Sequence, residues 1–341
     1  MTTTSEAGFR PDRATTLKIL AGFAVAGLLV YLLGWVVGWE ATLDRLASAD
    51  LRWLAVACLS TAVGLALWGK AWQVVLRELG IDVPYRKLVT TYFAATFANY
   101  VTPLGQAGGE PFIAYVLARD TSADYEESLA SVVTADLLNL MPFFNFAAVG
   151  LGYLLVRSRL VGAAADVAVG LGAMAVGVPL AVVVGWRHRD AVERALLGLA
   201  APVAARTDRL DLDGLRERID RFYEAVGQIA GNRRRLAYAL VFSYAGWVCF
   251  ALPLYFAGLT LSVDIGLLLV LFVVPASTVA GMVPTPGGLA AVEGALVALL
   301  VGLTAIGAAD ALAVATIYRL ASYWFALLVG GAATLIVIYR V

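Results

Sequence analysis

Long apolar runs separated by short charged stretches set the pattern of this chain. The runs at 17–39, 51–76, 128–156, 166–186, 236–258 and 310–338 are each about long enough to cross a bilayer as a helix. Two further runs, 88–118 and 265–303, are interrupted in the middle. The first breaks at Pro103, Gly105, Gly108 and Gly109 and then places Glu110; the second breaks at Pro284, Pro286, Gly287 and Gly288 and then places Glu293. Proline lacks the amide N–H and clashes with the preceding turn, and paired glycines favour irregular backbone. Each arm is too short to span a core of about 30 Å at about 1.5 Å per residue, so both runs read as re-entrant hairpins. Such backbone is tolerated at membrane depth only where protein buries it or it lines a wet cavity.

The pattern predicts an all-α polytopic membrane protein, a single membrane domain over 1–341 with six full spans and two broken-helix hairpins. Segment 187–235 holds eleven of the 25 basic residues, which by the positive-inside rule makes it cytoplasmic. Within it Leu215, Ile219, Phe222, Val226 and Ile229 recur at helical spacing, predicting an amphipathic helix that lies on the membrane or packs under the bundle. Residues 40–50 read as a short acidic loop carrying Glu40 and Asp44. With the N-terminus inside, the two hairpins enter from opposite sides and both termini are cytoplasmic, in a plasma-membrane protein. Span–hairpin–span at 51–156 then recurs with opposite orientation at 236–338, an inverted repeat of the kind used by transporters.

Few ionisable groups interrupt the apolar runs, and each such group is a functional candidate. Asp136 and Asn139 lie about one helical turn apart and are expected to share a face. Glu110 precedes Asp136 by the same spacing that separates Glu293 from Arg319, which follows Tyr318. If the hairpin tips meet near the midplane, Glu110, Asp136, Glu293 and Arg319 converge there. Glu293 and Arg319 are natural partners, since a buried unpaired charge costs several kcal/mol, and the half-helix N-termini suit an anionic group.

Composition narrows the function. Hydrophobic residues make up 61% of the chain and charged residues 15%, with a mean hydropathy of +0.83, far from soluble averages. Formal net charge is zero, so no basic field points to nucleic acid. Cys58 and Cys249 lie inside apolar runs, and His188 is the single histidine; no metal or cofactor site is expected from them. No Walker A run occurs, so any movement of a substrate would be driven by a gradient, by mass action, or not at all.

The run Pro-Thr-Pro-Gly-Gly-Leu ending in Glu293, the Tyr-Arg-Leu at 318–320 with Tyr323-Trp324, and Leu-Leu-Val-Gly-Gly at 327–331 together resemble the flippase-like membrane family. That family includes the membrane half of lysylphosphatidylglycerol synthases. The Pro-Leu-Gly-x-x-Gly-Gly-Glu run at 103–110 is similar to its first motif, and the likeness covers nearly the whole chain. The resemblance implies translocation of a membrane lipid or lipid-linked intermediate between leaflets, beside a separate synthase or glycosyltransferase. The synthase's soluble catalytic half has no counterpart in this sequence, so aminoacyl transfer is not expected. Ala135-Asp136-Leu137-Leu138-Asn139 departs from the family's Glu-Arg-x-x-Asp, placing an acid where a cation is usual, so headgroup chemistry does not carry over. Two alternatives use the same residues differently. One is an ion- or proton-coupled small-solute transporter, suited by the surplus of carboxylates. The other is a membrane glycosyltransferase with a lipid-phosphate donor and Glu40 or Asp44 as base.

Overall fold

The computed structural model describes residues 13–102, 110, 113–118, 123–157, 173, 177, 180–181, 183–204, 212–281, 283 and 285–339. Pro103, Gly105, Gly108, Gly109 and Pro284, and most of the expected span 166–186, lie outside the described residues. Every regular element among those described is helical. In chain order they are α1 (Arg13–Val37), α2 (Trp39–Ala47), α3 (Leu51–Glu78), α4 (Tyr85–Val101), α5 (Tyr125–Arg157), α6 (Arg189–Ala204), α7 (Leu212–Gly231), α8 (Arg233–Thr260), α9 (Leu267–Ala280), α10 (Ala291–Leu303), α11 (Ala308–Arg319) and α12 (Phe325–Tyr339). A 3₁₀ turn, Pro286–Gly288, precedes α10, and a π turn, Leu320–Trp324, joins α11 to α12. Five helical stretches are long and apolar enough to cross a membrane, or six if α1 and α2 form one broken span.

The acidic loop expected at 40–50 is instead mostly the helix α2. The chain turns through 95° between α1 and α2, at Gly38, whose φ of 108° is open to glycine. Trp39 folds back so that its indole N–H donates to the Tyr31 carbonyl at 3.0 Å. Alternation of Glu40, Asp44 and Arg45 with apolar residues makes α2 amphipathic. It packs on α11, where Arg45 pairs with Asp310 at 2.6 Å.

The central packing exchanges partners between the two halves of the chain. Helix α3 lies along α8, α4 along α12, and α9 along α5. Small residues allow the first contact: a Cβ on Gly246 would fall 2.5 Å from the Trp68 ring, and one on Gly64 3.0 Å from the Gly246 carbonyl. Polar side chains then bridge the pair, with Ser60 Oγ donating to the Cys249 carbonyl at 2.7 Å and Trp68 to that of Ser243 at 3.3 Å. Close approach and interhelical hydrogen bonds drive association where lipid tails remove the hydrophobic incentive.

At the basic end, α7 packs beneath the bundle against α5 and the end of α3. Ala225 and Ile229 are buried. Gln228 donates to the Glu78 carbonyl at 2.7 Å, and Arg235 and Asn232 both hold the Glu78 carboxylate. Arg218 and Arg221 reach Glu126 and Asp124, at 3.3 and 3.5 Å. Of the two placements open to this amphipathic helix, the structure shows the packed one.

Candidate functional site

The second broken run folds into two arms, and Pro286–Leu303 is itself long and apolar enough to cross a membrane, against the expectation that each arm is too short. Arms α9 and α10 lie side by side. Gly287 and Gly288, at φ 56° and 64°, occupy the left-handed region open to glycine. Thr285 Oγ donates to the Leu289 carbonyl at 3.1 Å. Glu293 follows in the first turn of α10, where the positive end of the helix dipole favours a carboxylate.

Arg319, at the end of α11, closes this site. Its Nε donates to Glu293 Oε1 at 2.8 Å and its Nη2 to the Gly287 carbonyl at 2.8 Å. Its guanidinium lies 4.4 Å from the centroid of the Tyr323 ring. The π turn after Arg319 brings Tyr323 back onto the break: a Cβ on Gly287 would sit 1.9 Å from its ring. Single-turn π segments inside helices recur at functional sites. Glu293 and Arg319 are 5% and 8% exposed, so removing either leaves a buried charge, at a cost of about 3–5 kcal/mol. Glu293 Oε2 is buried and accepts no hydrogen bond from the described residues.

The first hairpin carries a different pair. Glu110 is helical and half-buried, and its carboxyl lies beside that of Asp136 on α5. Two carboxyls side by side repel each other when both are ionised. Asp136 lines a small cavity of about 60 Å³ with Trp72, Tyr92, Thr96 and Asn99. Asn99 Oδ1 is buried there without a hydrogen-bond partner among the described residues. The cavity is therefore rich in acceptors.

Tyrosines join the two pairs. Tyr92 lines the same cavity as Asp136, and Tyr100 follows it about two turns later on α4. The Tyr100 and Tyr323 rings lie 5.0 Å apart, and the Tyr323 hydroxyl points to the Tyr100 carbonyl at 3.4 Å. Tyr318 precedes Arg319 and is buried. A polar band thus runs from Glu110 and Asp136 through Tyr92 and Tyr100 to Arg319 and Glu293, across the contact between the two halves.

Asn139 stands apart from this band. Its Oδ1 accepts from Ser243 Oγ, and its carbonyl accepts from Trp247 Nε1 at 2.8 Å, so it ties α5 to α8 while Asp136 faces α4. Three residues of helix differ by about 60° in direction, enough in a crowded bundle to send two polar side chains to different neighbours. The sequence motifs include Tyr323 but not Tyr92, Asn99 or Tyr100. A signal was present for two of these: with Thr96 between them, Tyr92 and Asn99 fall at spacings of four and three on one face of α4.

A family model described as the lysylphosphatidylglycerol synthase TM region matches residues 19–330. A UPF0104 membrane protein of Pyrococcus horikoshii is 27% identical over 316 residues, covering 89% of this chain and 92% of its own length. Two UPF0104 membrane proteins of Methanothermobacter thermautotrophicus are 28% identical over 329 residues and 24% identical over 331. The first alignment covers 94% of both chains, and the second 94% of this chain and 93% of its relative. Apolar spans, a buried ion pair on a broken hairpin and a family match over nearly the full length agree: this integral membrane protein belongs to the lysylphosphatidylglycerol synthase transmembrane-region family.

Proposed function

We propose that this chain moves a lipid, or a lipid-linked headgroup, between leaflets along the polar band at its centre. The observation that carries the reading is the continuity of that band: the buried Glu293–Arg319 pair in the second half and the Glu110–Asp136 carboxyls in the first, joined by tyrosines across the contact between the halves. A headgroup crossing an apolar core needs such a path, with protein burying the irregular backbone beside it. Arg319 is already engaged by Glu293, the Gly287 carbonyl and the Tyr323 ring, so in this reading it is the strut that shapes the break. The receiving surface is the cavity of Asp136 and Asn99, whose acceptor oxygens suit a headgroup bearing hydroxyls or an amine.

In the same reading 51–156 and 236–338 are inverted repeats, the basic segment and both termini face the cytoplasm of the plasma membrane, and a separate synthase or glycosyltransferase supplies or consumes the lipid. The exchange of packing partners supports the repeats, since a two-fold relation would pair α3 with α8 and swap the other two contacts symmetrically. Cysteine labelling tests the topology: positions in 119–127 should react from the cytoplasmic side and positions in 304–309 from outside, and labelling of both from one side overturns it.

One observation favours a second reading. The Glu110 and Asp136 carboxyls lie side by side, an arrangement suited to carrying a proton in a proton-coupled transporter of a small solute. Purified protein in liposomes separates the two. Headgroup exposure of a fluorescent lipid, faster than in empty vesicles and abolished by Asp136→Asn, supports lipid movement. Solute uptake driven by a pH gradient, with no lipid movement, supports the transporter.

A further inference from the structure

An open groove of about 430 Å³ lies at the basic end of the bundle, between the end of α3 and the first turns of α8. Arg77, Arg234 and Arg235 stand at its rim. Arg77 pairs with Asp82 at 3.3 Å and Arg235 with Glu78 at 3.1 Å. Both arginines are about half exposed, so these pairs hold their side chains loosely and leave N–H donors free for another anion. Arg234 has no carboxylate partner among the described residues, and its guanidinium lies 5.8 Å from the centroid of the Tyr238 ring.

Below the rim the lining changes character. Arg234, Tyr238 and Phe242 follow one another at intervals of four residues, so they form a single stripe down α8. The stripe starts at a cation and runs into the apolar length of the helix, with Val74 of α3 on the facing wall. Tyr238 and its neighbour Val241 are 50% and 63% exposed, so this side of α8 faces outward from the bundle. The charge at the top fits a phosphate, since guanidinium groups bind phosphates through paired N–H donors. The aromatic wall beneath fits an acyl chain or glycerol backbone, and a free phosphate would leave it unused.

We propose that this groove is a docking site for an anionic phospholipid, its phosphodiester held by Arg77, Arg234 and Arg235 and its apolar part laid along Tyr238 and Phe242. The site is separate from the central polar band, and it stands or falls independently of transport.

The test uses the full chain in a neutral detergent, with dioctanoyl phosphatidylglycerol as the probe. Binding is read by native mass spectrometry and by the shift in melting temperature. The short-chain lipid should bind saturably and raise the melting temperature. Arg234→Gln removes an exposed side chain bonded to no carboxylate, so it should fold normally and weaken binding about fivefold, as one lost cation near an anionic lipid does. Arg77→Gln, on the other helix, should do the same, and Tyr238→Ala should weaken lipid binding as well. Dioctanoyl phosphatidylcholine should bind more weakly, and inorganic phosphate at equal concentration should not displace the bound phosphatidylglycerol. The proposal is overturned if both arginine variants bind phosphatidylglycerol as tightly as the parent. It is equally overturned if phosphatidylcholine binds as well, or if inorganic phosphate competes fully, which would mark a free-phosphate site.

Discussion

Arg319 holds the carbonyl of Gly287, 32 residues earlier in the chain, at 2.8 Å, while the same guanidinium pairs with Glu293. A planar guanidinium can serve two acceptors set at a fixed angle, whereas an ammonium is a point charge that favours one. The broken backbone of the second hairpin is thereby fixed to the last span by one side chain. Glu293→Gln should leave the Gly287 contact intact but strip Arg319 of its counter-charge, lowering stability by about 3–5 kcal/mol. The exchanged double variant Glu293→Arg, Arg319→Glu should not recover it, because a carboxylate at 319 would face the Gly287 carbonyl, acceptor against acceptor, and would lose the Tyr323 ring contact. Melting temperatures in detergent should therefore fall in the order parent, Glu293→Gln, exchanged variant. A double variant as stable as the parent would show that the pair is a simple ion bridge.

The break itself gives a paired prediction. Gly287→Ala meets two obstacles, a left-handed φ of 56° and a Cβ placed 1.9 Å from the Tyr323 ring. Backbone strain and overpacking each cost about 1–3 kcal/mol, so a large loss of stability is expected. Gly294→Ala, one turn into α10, meets nothing within 4 Å and should stabilise the helix by up to about 1 kcal/mol. Thermal denaturation of the two variants side by side checks both signs.

The apolar runs, the Pro-Gly break before Glu293 and the equal spacing of the two pairs were legible in the sequence, because chain chemistry alone dictates them. Helix α2 was not. Its stretch at 40–47 is short and charged, and the surface that makes it helical comes from α11, including Asp310, the partner of Arg45. Nor did the sequence say which of two surfaces the amphipathic α7 would choose. The deciding acids, Glu78, Asp124 and Glu126, lie more than eighty residues away along the chain. Tyr323 was read as part of a motif, but its place against Gly287 depends on the π turn, which shifts its direction relative to a regular helix.

That choice of surface for α7 is open to measurement. Ile229 is 3% exposed against the bundle, so Ile229→Ala should cost about 2–5 kcal/mol. A helix lying on the bilayer would lose far less from the same change. The exposed pairs of Arg218 and Arg221 are each worth about 0–1 kcal/mol, and Arg218→Ala should be nearly neutral. Hydrogen exchange across 212–231 in reconstituted protein should show strong protection near Ile229, lost in Ile229→Ala. Unchanged protection in that variant would place the helix on lipid.

The first hairpin offers the test that bears most directly on function. Glu110 and Asp136 stand in the positions that Glu293 and Arg319 occupy in the second half, yet two acids meet where an acid and a cation meet there. Two carboxylates side by side repel each other when both are ionised. Asp136→Asn supplies an amide N–H that can donate to the Glu110 carboxylate, so the fold should persist. If the pair only holds the hairpin, Asp136→Asn should also move lipid at the parental rate. If the acidic cavity is needed for passage, the variant should melt like the parent and yet move lipid at a small fraction of its rate. Melting curves and a vesicle flipping assay on the parent, Asp136→Asn and Glu110→Gln separate these outcomes. A full transport rate in both variants would remove the first hairpin's carboxyls from the path.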